Sequence, residues 1–294
     1  AQLIHQAKHD EDWRFSVVLS TGEELRGVLH PGFREEESHR LVGKCLDLES
    51  AYRQLAVRPS QRHLAIFSLK NLVSGQVEFF ECNALPFGAS AAVRGFNRAA
   101  MALEKIMMSM FGIPCTHYFD DFSFIAPAAV AEPVLELAQE VLDLLGWEVK
   151  GETKDVPLDA CFTALGVSFD LRRATDYRHP CLVVSNTENR VKELTKTIRD
   201  FLRSGKMSAA EAAQLRGRLV FANSQFFGKL GAMAYHYLGK RAHFAGPAKD
   251  LDAELRWALD WWVDHLVKTP ARRVPLAEVR PPLVLFTDGS CEPD

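Results

Sequence analysis

The stretch that decides the fold is Thr116-His-Tyr-Phe-Asp-Asp-Phe-Ser-Phe-Ile-Ala126, in which two acidic residues interrupt an apolar run. Its alternating pattern predicts two short strands joined by a tight turn at Asp120 and Asp121. Neighbouring carboxylates repel each other at such a turn, and a divalent cation that prefers hard oxygen ligands, such as Mg²⁺, would relieve the repulsion. A solvated acidic hairpin turn explains the same residues, so the pattern alone does not decide between the two.

A third carboxylate, Asp47, lies within a short apolar strand predicted at residues 44–48. If this strand lies beside the hairpin, three carboxylates meet and can hold two metal ions. Two metal ions about 4 Å apart activate one oxygen and stabilise the leaving oxygen in an in-line displacement at phosphorus. Taken by itself, however, Asp47 is more typical of a helix cap at the end of a strand.

Between these acids lies the segment Leu85-Pro-Phe-Gly88-Ala-Ser90. Proline fixes one backbone dihedral, and glycine lets the backbone pass close to a ligand. A plain loop that leads into the helix predicted for residues 90–111 is the alternative interpretation.

Composition excludes several classes of protein. The chain has 294 residues, of which 47% are hydrophobic and 25% are charged, so it is not a disordered, collagenous or disulfide-scaffold protein. No apolar run reaches the roughly 18 residues that cross a bilayer. The six cysteines form no Cys-x-x-Cys pair. We therefore expect reduced thiols and an intracellular location, in the nucleus or the cytoplasm.

The architecture and the charge both change along the chain. Strands are predicted at 64–69, 77–82 and 164–170, and the helix at 90–111 has Met101 and Met110 among the residues available for its buried face. This alternation up to about residue 172 predicts an α+β layered domain. Helices follow, with capping-box patterns at Ser185-x-x-Glu188 and Ser208-x-x-Glu211. Residues 190–241 hold eleven Lys and Arg against three acids, a balance of +8, so the remainder carries −3 − 8 = −11. This asymmetry favours a polyanion-binding part beside a cation-holding part, and solvated helix faces explain it equally well.

The order of the motifs resembles the palm of a reverse transcriptase. In sequence they are Asp47-x4-Tyr52, Leu85-Pro-Phe-Gly88, Tyr118-Phe-Asp-Asp121 and Leu165-Gly166. The form of these motifs is most similar to retrotransposons of the gypsy and DIRS kinds, and the similarity extends over residues 41–294, closely to about residue 170. It implies a right-hand palm, an antiparallel sheet packed on helices, with truncated fingers and a following helical thumb and connection.

The resemblance also implies a division into domains. Residues 1–40 would be a remnant of the fingers, since Arg26, Arg34, Arg40 and Lys44 do not form the basic pattern that normally holds a triphosphate. The other units would be the palm and fingers at 41–172, the helical thumb and connection at 173–245, a helix and Pro-rich linker at 246–282, and the first strand of a truncated ribonuclease H-like domain at 283–294.

The resemblance assigns the catalytic centre to three acids. Asp47, Asp120 and Asp121 would bind two Mg²⁺ ions, for which Mn²⁺ can substitute, with the Leu48 carbonyl as a further ligand. Asp288 would be the first acid of the ribonuclease H-like remnant. Only six residues follow Asp288, so we expect no ribonuclease H activity from this chain.

Further residues would bind the nucleotide and the nucleic acid. Tyr52 would occupy the space that a 2′-hydroxyl needs, Phe87 and Gly88 would line the nucleotide pocket, and Lys154 would contact the triphosphate. The residues expected at the primer and template are Tyr118, Phe119, Arg190, Lys192, Lys196, Arg199, Arg216 and Arg218.

The predicted function is therefore that of an RNA-directed DNA polymerase core from a retroelement polyprotein. Its partners would be an RNA or DNA template with a primer and deoxynucleoside triphosphates, with no membrane, and the oligomeric state stays open. A catalytically degenerate retroelement-derived domain that only binds nucleic acid is the alternative. An RNA-templated RNA polymerase is a third hypothesis, and Tyr52 argues against it.

Overall fold

The computed structural model describes residues 2–19, 21–151, 156–176, 178–226, 230–244 and 249–276. Lys154 and Asp288, to which the sequence assigned roles, lie outside these residues. In chain order the helices and strands are α1 (Gln2–Lys8), β1 (Arg14–Val18), β2 (Glu24–Val28), β3 (Leu41–Asp47), β4 (Ile66–Lys70), β5 (Val77–Glu81), α2 (Ser90–Met110), β6 (Cys115–Tyr118), β7 (Asp121–Pro127), α3 (Ala131–Leu144), β8 (Cys161–Ala164), β9 (Val167–Asp170), β10 (Cys181–Asn186), α4 (Glu188–Ser204), β11 (Lys206–Met207), α5 (Ala209–Asn223), α6 (Ala232–Ala242), β12 (Lys249–Asp250), α7 (Ala253–Lys268) and β13 (Arg272–Pro275).

A three-stranded antiparallel sheet of order β3-β7-β6 forms the centre of the first half, and α2 and α3 pack on it. Strand β7 alternates between buried and half-buried residues because one face of the sheet meets these helices. Phe122 and Phe124 of β7 are fully buried against the helices. This arrangement confirms the predicted α+β fold.

Helix α2 buries a stripe with helical spacing, formed by Ala92, Phe96, Ala100, Leu103 and Met107. The sequence prediction also placed Met101 and Met110 on this face, and that was wrong, because both side chains are exposed. Among the methionines of this helix Met107 is fully buried, whereas Met101, Met108 and Met110 are exposed.

Strands β4 and β5, both predicted from the sequence, form a separate two-stranded antiparallel hairpin. All ten of their residues are exposed. The hairpin lies in the chain between β3 and α2, so it separates Asp47 from the Leu85-Pro-Phe-Gly88 segment.

A second antiparallel sheet has the order β13-β10-β9-β8. The sequence predicted a single strand from 164 to 170, and the structure corrects this to a hairpin. Leu165 and Gly166 both have positive φ, +52° and +67°, as a two-residue type I′ turn requires. Strand β13 comes from the predicted Pro-rich linker and pairs with β10.

The last part is a cluster of four helices, α4 to α7, around a core that includes Leu194, Leu215, Leu238 and Trp262. Ser208 and Glu211 form the capping box predicted for α5. The capping box predicted at Ser185 and Glu188 is wrong, because Ser185 belongs to β10. Thr187 caps α4 instead, accepting a hydrogen bond from the Arg190 amide.

In the described part of the chain, no helix combines the length and the apolar character needed to cross a membrane. The boundaries of the five predicted domains stay a prediction.

Candidate active site

The acidic turn between β6 and β7 has two central residues, Phe119 and Asp120, because Tyr118 pairs with Asp121 across the hairpin. Phe119 has a φ of +55°, the conformation that glycine usually adopts at the first central position of a type II′ turn. A phenylalanine in this region costs on the order of 1–3 kcal/mol, which the surrounding structure must offset. The turn therefore holds Asp120 in a defined place at a local cost in backbone energy.

Asp47 reaches this turn through the register of the central sheet. Strands β3 and β7 pair so that Asp47 lies opposite Asp121, and the Leu48 amide donates to the Asp120 carbonyl at 3.3 Å. Residues directly opposite each other on antiparallel strands have Cβ atoms about 5 Å apart on one face of the sheet. The structure thus brings together the three acids that the sequence singled out.

Two grooves meet at Asp47. The first, of about 370 Å³, is lined by Asp47, Asp120, Tyr52, Phe87 and Lys150, and we call it the Asp120 groove. The second, of about 750 Å³, is lined by residues that include Asp47, Asp121 and the turn at 165–166, and we call it the Asp121 groove. Asp120 lines the first groove and Asp121 lines the second, while Asp47 lines both.

The acid cluster and its partial burial shift the pKa of Asp121 and of two neighbouring side chains. The pKa of Asp121 is raised from its ordinary value, first by burial and then by the charges of Asp47 and Asp120. Burial, with the repulsion of the nearby Asp121 carboxylate, raises the pKa of the Cys45 thiol to about 11. The pKa of Tyr52 is also raised, by burial and then by Asp120. The site is therefore strongly anionic, and Cys45 and Tyr52 are neutral at pH 7.

Lys150 is a site residue that the sequence prediction missed. A short extended segment continues the sheet beside β3, since Leu48 forms a bridge with Val149 and the Lys150 amide donates to the Asp47 carbonyl at 2.9 Å. The Lys150 ammonium then lies 3.5 Å from the Asp47 carboxylate. The resemblance pointed to Lys154. The sequence signal for Lys150 is the alternation of apolar and polar residues in Trp147-Glu-Val-Lys150, which is typical of a strand. In the structure Trp147 and Val149 are buried.

The donor set fits a hard divalent cation by its chemistry. Carboxylate oxygens and a main-chain carbonyl are the ligands that Mg²⁺ accepts. The Leu48 carbonyl accepts a hydrogen bond from the Ala51 amide at 3.5 Å. Within the described ranges no three His, Cys, Asp or Glu side chains are already arranged as a metal site.

Aromatic side chains form the wall of the Asp120 groove. The Tyr52 ring is stacked on Phe96 at 4.7 Å and meets the edge of Phe87 at 5.5 Å. Tyr52 is only 8% exposed, whereas Phe87 is 87% exposed. Gly88 has a φ of +92°, which a side chain would strain, and this conformation presents Phe87 to the groove. Tyr52 and Phe87, both predicted nucleotide contacts, thus lie together beside Asp47.

Helix α4 carries a basic stripe that faces solvent. Lys192, Lys196, Arg199 and Arg203 are exposed and follow one another at i, i+4, i+7 and i+11, opposite the buried Leu194. Lys192 also pairs with Glu188 of the same helix at 3.3 Å. We call these four residues the α4 stripe.

The basic residues of helix α5 have two different surroundings. Arg218 lies 3.4 Å from Glu193 and joins α5 to α4 by an ion pair. Arg216 is exposed and passes close to Gly239 of α6, where a Cβ atom would lie 3.4 Å from its Nε. Of the two, Arg216 presents the more exposed charge.

Arg190, predicted as a nucleic-acid contact, differs in its surroundings from the exposed basic residues of α4, and its contact with nucleic acid stays a prediction. Its guanidinium donates to the Gly166 carbonyl at 2.6 Å and stacks over the Phe221 ring at 4.3 Å. A Cβ atom at residue 166 would lie 2.6 Å from this guanidinium, so the contact requires glycine. Arg190 joins the β8–β9 turn to the helices and does not belong to the exposed α4 stripe.

Comparison with known proteins identifies the fold. No protein-family model matches the chain, and no curated protein matches it either. Among solved structures, it is similar to the foamy viral protease-reverse transcriptase in complex with an RNA/DNA hybrid (TM-score 0.57, 16% identity, 87% of this chain and 33% of that chain). It is also similar to the same viral protein in complex with double-stranded DNA (TM-score 0.56, 17% identity, 87% of this chain and 52% of that chain).

The chain therefore spans between a third and about half of the length of these viral chains. At this level of identity the likeness concerns the fold. The arrangement of the sheets, the helices and the acidic turn is that of a reverse transcriptase polymerase fold.

Proposed function

We propose that this chain is the core of an RNA-directed DNA polymerase, which adds deoxynucleotides to the 3′ end of a primer by two-metal nucleotidyl transfer. One observation carries the proposal: the pairing of Asp47 with Asp121 places both beside Asp120 and next to a groove walled by Tyr52 and Phe87. The likeness in fold to a viral reverse transcriptase supports it.

The acids would hold two Mg²⁺ ions, or Mn²⁺ in their place, with the Leu48 carbonyl as a further ligand. Bound there, the ions would supply Lewis-acid stabilisation of the oxygens at phosphorus. Asp47 is the acid that lines both grooves, so it is the residue suited to serve both ions. Asp120 would complete the site of the ion in the Asp120 groove, and Asp121 that of the ion in the Asp121 groove.

The aromatic wall would orient the nucleotide. Phe87 is exposed at the rim of the groove, so its ring is available to a base or sugar. Tyr52 is fixed from below by Phe96 and cannot retreat, so it would exclude a 2′-hydroxyl and favour deoxynucleotides. Lys154, outside the described residues, stays a predicted triphosphate contact.

The primer and template would lie along the Asp121 groove and the helices. Tyr118 is 58% exposed beside the acidic turn, where a primer end would meet the acids. The α4 stripe and Arg216 would contact phosphates without reading sequence. The viral neighbours are complexes with an RNA/DNA hybrid and with double-stranded DNA, which supports a duplex as the partner here.

Other parts of the proposal concern origin and location. The motif forms favour a retrotransposon of the gypsy or DIRS kind, and the cysteine usage favours an intracellular protein. Ribonuclease H activity is not proposed for this chain.

Primer extension on an RNA template with Mg²⁺ tests the function. We expect wild-type protein to extend the primer, and Asp120→Asn to lower the rate roughly 100-fold or more, since even groups that only support a metal ligand contribute 10- to 100-fold. Asp143→Asn, an exposed acid at the end of α3, is the matched control and should extend normally.

Equal extension by wild type and Asp120→Asn would overturn the proposal. Salt-dependent duplex binding without extension, in Mg²⁺ and in Mn²⁺, would instead indicate the degenerate nucleic-acid-binding domain.

A further inference from the structure

The ion pair between Lys150 and Asp47 is held from two sides. The Lys150 amide donates to the Asp47 carbonyl at 2.9 Å, which fixes the two backbones next to each other. The Lys150 ammonium then lies 3.5 Å from Oδ2 of the Asp47 carboxylate. The two residues are 103 positions apart in the chain, so this contact depends on the folded sheet.

This ion pair engages one of the two oxygens that Asp47 could offer to a metal ion. Asp47 lines both grooves, and the charge of Lys150 offsets part of the rise in the pKa of Asp121. An ammonium at this position therefore compensates part of the negative charge of the acid cluster. A divalent cation and the ammonium compete for the same carboxylate.

The Lys150 side chain has room to leave. It is 44% exposed and lines the Asp120 groove together with Tyr52 and Phe87. Its flexible four-carbon stem allows the ammonium to turn about a fixed backbone. A bound phosphate group in this groove would offer it a second anionic partner.

We propose that Lys150 exchanges between two anions: the Asp47 carboxylate in the metal-free protein, and the phosphates of a nucleotide once a divalent cation occupies Asp47. The proposal rests on the proposed function. Lys150 is a positioning residue in this scheme, and it makes metal binding and nucleotide binding favour each other. Metal binding releases the ammonium for the phosphates, and phosphate binding takes it away from the metal's ligand, so the coupling is reciprocal.

A purely structural ion pair is the alternative role for Lys150. A half-exposed pair of this kind contributes little to stability, so variants at Lys150 should fold. The two roles predict different metal affinities for a variant that lacks the Lys150 charge. Loss of a purely structural ion pair would leave the affinity for the metal unchanged or lower it, whereas loss of a competing cation would raise it.

The test measures Mn²⁺ binding directly, from the loss of the electron paramagnetic resonance signal of free Mn²⁺, in the full chain without nucleotide. Lys150→Met keeps the stem and removes the charge. We expect it to bind Mn²⁺ about tenfold more tightly than wild type, a change of about 1.4 kcal/mol. Lys150→Arg should stay close to wild type. Arg53→Met removes a charge from the same groove and should change the affinity less than twofold.

Steady-state extension gives the second readout. We expect Lys150→Met to raise the KM for the deoxynucleotide more than it lowers kcat, and Lys150→Arg to restore the KM. If the wild type extends primers and Lys150→Met binds Mn²⁺ no more tightly than the wild type, this inference is overturned and the proposed function stays intact. No Mn²⁺ binding by either protein at millimolar metal, together with no extension, overturns both.

Discussion

At the scale of the residue, Asp121 has a measurable effect on stability. Its pKa in the folded protein is raised above its ordinary value of 3.8 by burial and by the neighbouring acids, so the folded state holds this proton more tightly than the unfolded state. Stability therefore falls as the pH rises through the window that begins near 3.8 and ends at the raised pKa. Above that window the ionised carboxylate is a net destabilising group.

Asp121→Asn removes this group, and we expect the variant to be more stable than wild type at pH 7 in the presence of EDTA. The difference should shrink as the pH falls and should vanish below about 3.8. Thermal melts across this pH range measure it. A constant difference at every pH would show that ionisation of Asp121 is not its source.

Tyr52 has a predicted effect on sugar selection. Replacing it with alanine opens the space above Phe96, so we expect discrimination between deoxynucleotides and ribonucleotides to fall by roughly tenfold or more. Tyr52→Phe keeps the stacked ring and should retain the selection. The comparison is the ratio of kcat/KM values for the two nucleotides. A ratio that Tyr52→Ala leaves unchanged would assign the selection to another residue.

At the scale of the element, the β8–β9 hairpin has an unfavourable residue in its turn. Leu165 has a φ of +52°, a conformation that costs an L-residue about 1–2 kcal/mol and that asparagine tolerates. We expect Leu165→Asn to raise the free energy of unfolding by about 1 kcal/mol. Leu144→Asn, an exposed leucine at the end of α3, is the control and should bring no gain. Urea unfolding at constant m-value distinguishes the two.

The α4 stripe belongs to the same scale, because its four cations act together along one helix face. Lys196→Ala with Arg199→Ala should weaken duplex binding equally for different sequences and lower the slope of log K against log salt by about 2. Lys105→Ala, an exposed lysine of α2, should leave the slope unchanged. Fluorescence anisotropy between 50 and 200 mM salt provides the measurement. A sequence-dependent loss would contradict a pure phosphate contact.

The elements also show which parts of the fold the sequence could predict. The acidic hairpin, β3, β4, β5 and the capping box of α5 follow local patterns, so periodicity and turn chemistry were sufficient. The Ser185 cap failed because a Ser-x-x-Glu string also fits the end of a strand, and only Thr187 makes the bond. The β8–β9 hairpin was missed because leucine rarely occupies the first position of a type I′ turn.

The candidate site divides in the same way. Asp47, Asp120 and Asp121 could be predicted because the motifs that hold them are local and ordered. Lys150 and Arg190 could not be placed, because their partners lie more than twenty residues away and are fixed by strand register and helix packing. These contacts depend on the tertiary structure, so they cannot be predicted from a local sequence pattern.

At the scale of the whole molecule, the pairing of β10 with β13 has a topological consequence. Strand β10 leads into the helical cluster and β13 leads out of it, with Val184 and Arg272 as direct partners. The points at which the chain enters and leaves the helical cluster therefore lie next to each other, on neighbouring strands. Excising residues 187–270 would leave two neighbouring chain ends that a short glycine-rich connector can rejoin, so the part that holds Asp47, Asp120 and Asp121 can be prepared and assayed by itself.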